Sequence, residues 1–534
     1  MFVLPFFLLF LNAWKPEAYT PPGLDVDRLF EAFWSAKTQD RQKKAATALV
    51  RADVDFETLC QRLKKGRTYS EDVPRGLFHL TRVDGHGTTF PFSLLVPEDY
   101  VPTRKYQLRV YLHGATSCDA WPTDGSWWRE HRKLGGADRI LLFPAAWRDA
   151  PWWKQVQVEN LNALLDQVKR TYNIDENRIY LSGLSDGGTG TYFMAFRNTT
   201  PWAGFLPLIS HPAVLANPAN HADGHLFVPN LTNKPFFIVN GGRDPLYPIR
   251  SVKPFVDLFQ EAGTVLVFRP LEDQTHNAAW WPSEKSNMDS FMERHPRNPL
   301  PDRLFWETES TDRYTRAHWL VITELGKVPG ESAIEEFNTI HLSPPSAILG
   351  AVLEKTSRNG ALVLEVEPGL PAARAGLVSG DRIVEVAGMP TPTLPALAHA
   401  LLLVRFGQPA EFWFERKGLR HRVQVDLPER KVSEPGVRAF PRSEQSGRVR
   451  LTRDGNSIFV MTQGVKRFTL LLSPDQFDFN IPLTVWANGM LAYEGIPEKD
   501  PEVLLNWAVV DNDRTMLFAA ALDIDLGPSH RGSP

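Results

Sequence analysis

The stretch that most constrains this chain is Arg178-Ile-Tyr-Leu-Ser-Gly-Leu-Ser-Asp-Gly-Gly-Thr-Gly190. It reads as a short buried strand over Ile179 to Leu181, a glycine-punctuated bend, and a helix from Gly188 to Phe196. Within it, Gly183-Leu-Ser185-Asp-Gly187 sets a serine between two glycines, each two residues away. A serine at the tip of a strand-to-helix turn has strained backbone angles, so neighbours two residues off must lack side chains. The helix that follows points its positive end at the serine, where a developing oxyanion is stabilised.

The flanking chain supplies a setting for such a turn. Phe78 to Val83 and Thr89 to Pro97 read as two strands around Asp84-Gly-His-Gly87. Apolar strand candidates follow at Gln107 to Leu112, Arg139 to Phe143, Arg178 to Leu181, Gly204 to Ile209, Pro235 to Val239 and Thr264 to Phe268. Helical segments fall between them, such as Lys154 to Tyr172 with Val158, Leu161, Leu164, Leu165 and Val168 on one face. Continuous apolar strands alternating with amphipathic helices predict a parallel sheet covered on both sides. Ligands of such sheets bind beyond the carboxyl ends of the strands.

Four loops leave those ends with reactive residue types. Leu112-His113-Gly114-Ala115-Thr116 is a candidate oxyanion loop, because a glycine just past a strand lets backbone N–H groups turn towards a ligand. The Ser185 turn is the second. Asn240-Gly-Gly-Arg-Asp244-Pro-Leu-Tyr-Pro248 is the third, and Leu271-Glu-Asp-Gln-Thr-His276 is the fourth. Alternatives stay in view: His211, His221 and His225 share one loop and could supply a base, and Asp273, three residues before His276, could take the place of Asp244. His113 is expected to shape its loop by hydrogen bonding, and Asp186 to cap the helix after Ser185. Trp121, Trp127, Trp128, Trp147, Trp152 and Trp153 crowd two loops, and Trp280 and Trp281 follow His276. Packing beneath a lid is expected of them ahead of a carbohydrate or aromatic-ester platform.

Taken together, Val110-Tyr-Leu-His-Gly, Gly183-Leu-Ser-Asp-Gly-Gly, Asn240-Gly-Gly-Arg-Asp-Pro-Leu-Tyr-Pro and the loop ending at His276 resemble an α/β-hydrolase of the polyhydroxybutyrate-depolymerase and feruloyl-esterase type. They are also similar to prolyl oligopeptidase catalytic domains. The order Ser, Asp, His is that of the α/β-hydrolase triad. The resemblance implies Ser185 as nucleophile, His276 as base and Asp244 as the acid that orients it. It also implies an oxyanion hole at the N–H groups of Asp186 and Ala115 beside Gly114.

A second resemblance begins near Ser343. Ile348-Leu-Gly-Ala351, Ala361-Leu-Val-Leu-Glu-Val366 and Pro368-Gly-Leu-Pro-Ala-Ala-Arg-Ala-Gly-Leu-Val-Ser-Gly-Asp-Arg-Ile383 look like a PDZ domain of bacterial heat-shock serine proteases. This implies capture of a polypeptide C-terminus or extended segment by strand addition. Ile348, Leu349, Gly350 and Ala351 would form the carboxylate loop.

The rest of the 534-residue chain divides by pattern. Residues 1–22 are a candidate signal peptide, because Phe2 to Leu11 is apolar over a length too short to span a membrane. Residues 23–75 form a helical segment, with Asp53 placed to cap its third helix. The α/β-hydrolase catalytic domain takes 76–300. Strands over 301–342 are expected to join the C-terminal β domain, with the PDZ domain at 343–428 inserted between. A linker at 429–446 leads to a β-sandwich-like region over 447–534. It is marked by hairpin signals at Asp454-Gly455 and Asn488-Gly489. The fold class is thus α/β with appended helical, PDZ and β parts.

A net charge of -3 gives no electrostatic reason to expect nucleic acid. Cys60 and Cys118 allow at most one bridge, and no metal-ligand spacing appears, so neither metal nor cofactor is expected. No integral membrane span is expected in the mature chain. The expected function is a serine hydrolase of an ester or peptide bond with PDZ-mediated polypeptide recognition, exported to the periplasm or outside the cell, with a cytoplasmic location as the alternative. The alternatives are a polyester or feruloyl-type carboxylesterase with a docking PDZ domain, and a catalytically dead hydrolase scaffold.

Overall fold

The computed structural model describes residues 26–128, 134–217, 222, 226–340, 348–354, 356, 358–404, 408–427 and 437–527. The candidate signal peptide lies outside them. The chain forms two units, one of which joins its N-terminal helices to a segment near its other end, Lys499 to Leu517. Helices α1 (Val26–Ser35), α2 (Gln39–Arg51) and α3 (Phe56–Lys65) enclose Phe30, Phe33, Leu49, Leu59 and Leu63. Leu504, Leu505 and Val509 of the helix Pro501–Asp511 complete this core. Each fully buried leucine is worth about 2 kcal/mol. The span 447–534 is sheet-rich as expected, and it also holds this helix Pro501–Asp511, which sequence reasoning did not mark and whose apolar face fills a core that three short helices leave open. Asp55, not Asp53, caps α3 through the Thr58 N–H at 2.9 Å, and Asp53 sits in the preceding turn at φ 51°. The third helix ends at Lys65, and the N-terminal stretch of this unit runs to Arg67.

The second unit holds an eight-stranded sheet. Its strands are β1 (Gly76–Val83), β2 (Thr89–Val96), β3 (Tyr106–Leu112), β4 (Arg139–Pro144), β5 (Ile174–Leu184), β6 (Gly204–Leu208), β7 (Phe236–Gly241) and β8 (Leu266–Leu271). The order is β1-β2-β4-β3-β5-β6-β7-β8, with β2 antiparallel to both of its neighbours, β1 and β4, and the other neighbouring pairs parallel. That is the α/β-hydrolase fold. β5 is longer than the sequence pattern marks because it begins at Ile174, before the polar run Asp175 to Arg178. Helices α4 (Gln155–Thr171), α5 (Asp186–Arg197), α6 (Ile249–Glu261) and α7 (Trp281–Arg294) flank it. The core runs through Leu108, Val110, Ile140, Leu142, Leu181 and Phe205.

Strands β9 (Arg303–Thr308), β10 (Arg316–Ala317) and β11 (Leu320–Leu325) do not extend that sheet. β9 lies antiparallel to β20 (Gly447–Asp454), and β11 antiparallel to β22 (Val465–Leu472). Between these partners, β12 (Thr339–Ile340) pairs with β19 (Val437–Arg438) in a short ribbon. Phe440 beyond it packs on Phe196 of α5 and Phe255 of α6.

The ribbon brackets a sheet of β13 (Ala351–Leu353), β14 (Ala361–Val366), β15 (Arg382–Val386), β17 (Pro409–Arg416) and β18 (Leu419–Asp426), with β16 (Met389–Pro390) paired to β15. The helix Leu394–Leu403 closes its core of Leu349, Val363, Ile383, Leu397 and Phe412. Beyond the ribbon, β21 (Ser457–Gln463), β23 (Leu483–Ala487) and β24 (Met490–Gly495) extend the sheet of β9 and β20, and β25 (Ala520–Asp525) that of β22. Asn488 at φ 52° and Gly489 at φ 81° make the turn between β23 and β24. Among the described residues no helix is long and apolar enough to cross a membrane. Cys60 and Cys118 are both free thiols.

Candidate active site

Ser185 occupies the turn between β5 and α5 at φ 54°, ψ -118°. A Cβ on Gly183 would lie 2.0 Å from the Gly187 carbonyl oxygen, and one on Gly187 would lie 2.1 Å from the Leu112 oxygen. Both contacts are with backbone, so only glycine permits the turn to close against itself and against β3. The strain is held by the Ser185 N–H donating to Leu208 O at 3.0 Å and the Thr189 N–H donating to Ser185 O at 3.0 Å.

The loops of Asp244 and His276 meet through a second pair of glycines. A Cβ on Gly241 would lie 2.3 Å from Gln274 O, and one on Gly242 would lie 2.4 Å from Glu272 O. The loop after β7 therefore lies flat against the loop after β8, tied by the Arg243 N–H to Gln274 O at 3.0 Å. Asp244 is wholly buried. Its Oδ1 accepts from the N–H groups of Leu246 at 2.8 Å and Tyr247 at 2.9 Å. Its Oδ2 accepts from His276 Nδ1 at 2.8 Å. With that proton fixed on Nδ1, Nε2 is left to accept from the Ser185 hydroxyl at 2.9 Å. The Tyr247 ring stands edge-on to His276, centroids 5.6 Å apart.

On the other side of Ser185 lies the loop after β3. A Cβ on Gly114 would come within 3.0 Å of the Ser185 Cβ, so the loop is seated against the serine. His113 Nε2 accepts from the Ala146 N–H at 2.9 Å, which places the proton on Nδ1, and Nδ1 donates to Gly114 O at 2.6 Å. Burial pushes the His113 pKa down to about 4 and keeps the ring neutral. Because the peptide is planar and trans, holding the Gly114 carbonyl turns the Ala115 N–H away from His113. Ala115 sits at φ 58° to make the bend. Asp186 is the first residue of α5, where an N–H has no intrahelical acceptor.

The expectation for the Asp186 side chain is corrected. It does not cap α5; its Oδ2 accepts from the Thr116 N–H at 2.8 Å and hydroxyl at 3.0 Å, bracing the loop after β3. The capping position belongs to Ser185, whose hydroxyl faces His276 instead. Sequence reasoning missed Thr116 as the far end of this brace. The only signal was its place, four residues past β3.

The competing groups that the structure describes are engaged elsewhere. His211 Nδ1 accepts from the Ala213 N–H and Nε2 donates to Ser251 O, each at 3.0 Å. Asp273 pairs with Arg243 at 2.9 Å on the surface. His221 and His225 lie outside the described residues. The tryptophans divide. Trp152 is wholly buried and donates to His113 O at 2.8 Å, and Trp147, Trp153 and Trp280 are buried too. Trp127, Trp128 and Trp281, however, line an apolar cavity of about 780 Å³ together with Gly114 and Leu184. Beneath it, the Arg109 and Arg139 guanidiniums share the carboxylate of Asp289 on α7.

In the PDZ-like sheet, β13 is an edge strand paired only to β14 in the sheet order. Ile348 and Leu349 turn into Gly350, which has φ 65° and a carbonyl that accepts from the Glu367 N–H at 2.8 Å. Ala351 begins β13.

Residues 347–427 match the PDZ domain family. Over 152 residues the chain is 27% identical to the "Bifunctional acetylxylan esterase/xylanase XynS20E" of Neocallimastix patriciarum, covering 28% of this chain and 17% of that protein. Over 54 residues it is 41% identical to the "Putative serine protease HhoB" of Synechocystis sp., covering 10% of this chain and 13% of that one. The chain spans less than a fifth of the length of these curated relatives. Similar solved structures include a thermostable esterase, 22% identical with a TM-score of 0.35 over 41% of this chain and 63% of that one. A ferulic acid esterase is 16% identical, with a TM-score of 0.32 over 41% and 99% of the two chains.

Proposed function

We propose that this chain is a serine hydrolase of an ester or peptide bond whose PDZ domain captures an extended polypeptide. The observation that supports it most is the unbroken chain of hydrogen bonds from Ser185 through His276 to Asp244. Ser185 Oγ attacks the carbonyl carbon while His276 Nε2 takes its proton. The tetrahedral oxyanion is met by the N–H groups of Asp186 and Ala115, with Gly114 leaving room for it. Each such donor is worth about 3 kcal/mol of barrier. Collapse breaks the bond to the leaving group, which receives the proton from His276 and leaves an acyl ester on Ser185. Water, deprotonated by His276, then attacks that ester and restores the serine. Asp244 holds the imidazole in the required tautomer and stabilises its charged form.

The open edge of β13 supports peptide capture by strand addition, with the backbone of Ile348, Leu349, Gly350 and Ala351 at the carboxylate. The apolar cavity beside Ser185 favours a second reading, a carboxylesterase whose PDZ domain only docks it. One relative's name carries an esterase and the other's a protease, so the names support each arm once. Turnover of short acyl nitrophenyl esters and of peptide amides decides between them. Ester cleavage without amidase activity selects the carboxylesterase, and turnover unchanged in Ser185→Ala overturns both.

The apolar run Phe2 to Leu11 supports export to a periplasm or beyond. N-terminal sequencing of the protein from an exporting host tests this, and an intact Met1 overturns it.

A further inference from the structure

The cavity beside Ser185 has one cationic side chain in its lining, among the described residues, and that residue shares its carboxylate partner. Lys285, on the first turns of α7, lines the cavity along with Trp127, Trp128 and Trp281. Its Nζ donates to Asp289 Oδ2 at 2.7 Å. The same carboxylate already receives Arg109, which is almost wholly buried, and Arg139, which is 3.0 Å away. Arg139 in turn pairs with Asp138 at 2.7 Å. Three cations therefore meet two carboxylates. The neighbouring Glu284 does not alter this, because its two oxygens are taken by Arg269 at 2.9 Å each.

Burial pushes the Asp289 pKa up. The hydrogen bond from Lys285 and the charges of Arg109 and Arg139 outweigh it and hold the carboxyl at about 2. Asp289 thus stays ionised and fixes the direction of the Lys285 stem. An ammonium has three donors, and one suffices for Asp289. The surplus positive charge lies beside indole walls; Lys285 is itself half-exposed, so water screens it in part, and an anion there is held moderately more strongly than in bulk water. The cavity itself lies within the common range for small-molecule pockets.

We infer that this cavity selects a flat apolar or aromatic group that ends in an anion, the ring lying between the tryptophans and the anion meeting Lys285. The inference rests on the serine-hydrolase reading for its consequence, since the cavity begins at Gly114 and Leu184 beside the nucleophile. The preferred substrate is then an ester or amide whose group next to the scissile carbonyl, on the acyl or the leaving side, is an aryl or alkyl chain with a terminal carboxylate.

Binding tests this without turnover. Quenching of tryptophan fluorescence is titrated with 3-phenylpropionate and with its neutral amide. Wild type is expected to bind the anion about tenfold more tightly, the worth of one charge-assisted hydrogen bond. Lys285→Met should bind both equally, and Lys285→Arg should keep the preference. Equal binding in wild type overturns the inference, as does a preference that survives Lys285→Met.

Kinetics then separate the two layers of the argument. Competitive inhibition of nitrophenyl acetate turnover by 3-phenylpropionate supports placement beside Ser185, and non-competitive inhibition overturns it. Nitrophenyl esters of a monoacid and of a matching dicarboxylic acid test the acyl side, and aryl acetates with and without a ring carboxylate test the leaving side. A preference on either side that Lys285→Met removes supports the inference. Absence of all ester and amide turnover defeats the hydrolase reading, while the fluorescence titration still judges the cavity.

Discussion

The Ser185 site and the β13 edge are both proposed to bind a carbonyl-bearing chain, but they are built from opposite materials. At Ser185 the proton-relay atoms belong to side chains, with backbone N–H groups only at the oxyanion, and each side chain is pinned: Asp244 by three hydrogen bonds, His276 between two partners, the serine by its strained turn. At β13 the proposed contacts are the backbone groups of a strand edge that is unpaired among the described residues, and of the loop before it. A side-chain site dictates residue types at fixed places. A backbone site dictates only conformation, which many sequences meet. Damage should follow the same division: loss of chemistry at the first, loss of capture alone at the second.

The largest effect that tests this contrast is at Ser185, the proposed nucleophile. Ser185→Ala is expected to lower kcat for ester turnover by about 10⁶-fold with the fold intact, as measured by progress curves and circular dichroism. Asp244→Asn keeps the shape but lets His276 adopt the wrong tautomer. It should cost about 10⁴-fold in kcat. Asp186→Ala frees the Thr116 loop and so loosens the Ala115 donor. A fall of about 100-fold in kcat with little change in KM is expected, and a KM effect alone would count against the brace.

His113 gives a pH signature. Its folded pKa of about 4 lies below the ordinary value of 6.5, so the folded state resists protonation. Stability is therefore lost as pH falls from about 6.5 towards 4. Between about pH 7 and about pH 5 it should decline by about 2 kcal/mol more in wild type than in His113→Gln, measured by urea unfolding.

The smallest effect belongs to the other region. Leu349→Asp puts a charge in the PDZ core and should abolish peptide capture while changing small-ester turnover by less than about twofold. A parallel loss of both would erase the distinction. Gly350 offers no gentler test, because it too would act through the PDZ fold. At φ 65°, with a Cβ only 2.2 Å from the Leu370 side chain, any substitution there is a folding lesion rather than a blocked groove.

The same contrast explains what was legible in the sequence. The glycines around Ser185 and the loops of Asp244 and His276 stand out because chemistry and close backbone contact restrict them. The PDZ segment is readable through its Pro-Ala-Ala-Arg-Ala-Gly-Leu run, which shapes a turn rather than a ligand contact. Long-range partners leave no such mark. Nothing near Leu504 shows that its helix completes a core with Phe30 and Leu59, because that information lies in packing across the whole chain length. The tryptophans mislead for a related reason: Trp152 and Trp281 have the same chemistry, and only the structure separates the one that is buried from the one that lines a cavity. Asp186 is similar, since a carboxylate beside a helix start suits a cap equally well on paper.

The central claim is that Ser185 is activated by His276 and Asp244. Intact-mass measurement after treatment with a fluorophosphonate probe tests it most directly. The account predicts a single adduct, mapped to Ser185, that is absent in Ser185→Ala and forms far more slowly in His276→Ala. An unmodified wild-type protein, or an adduct on any other residue, would contradict it.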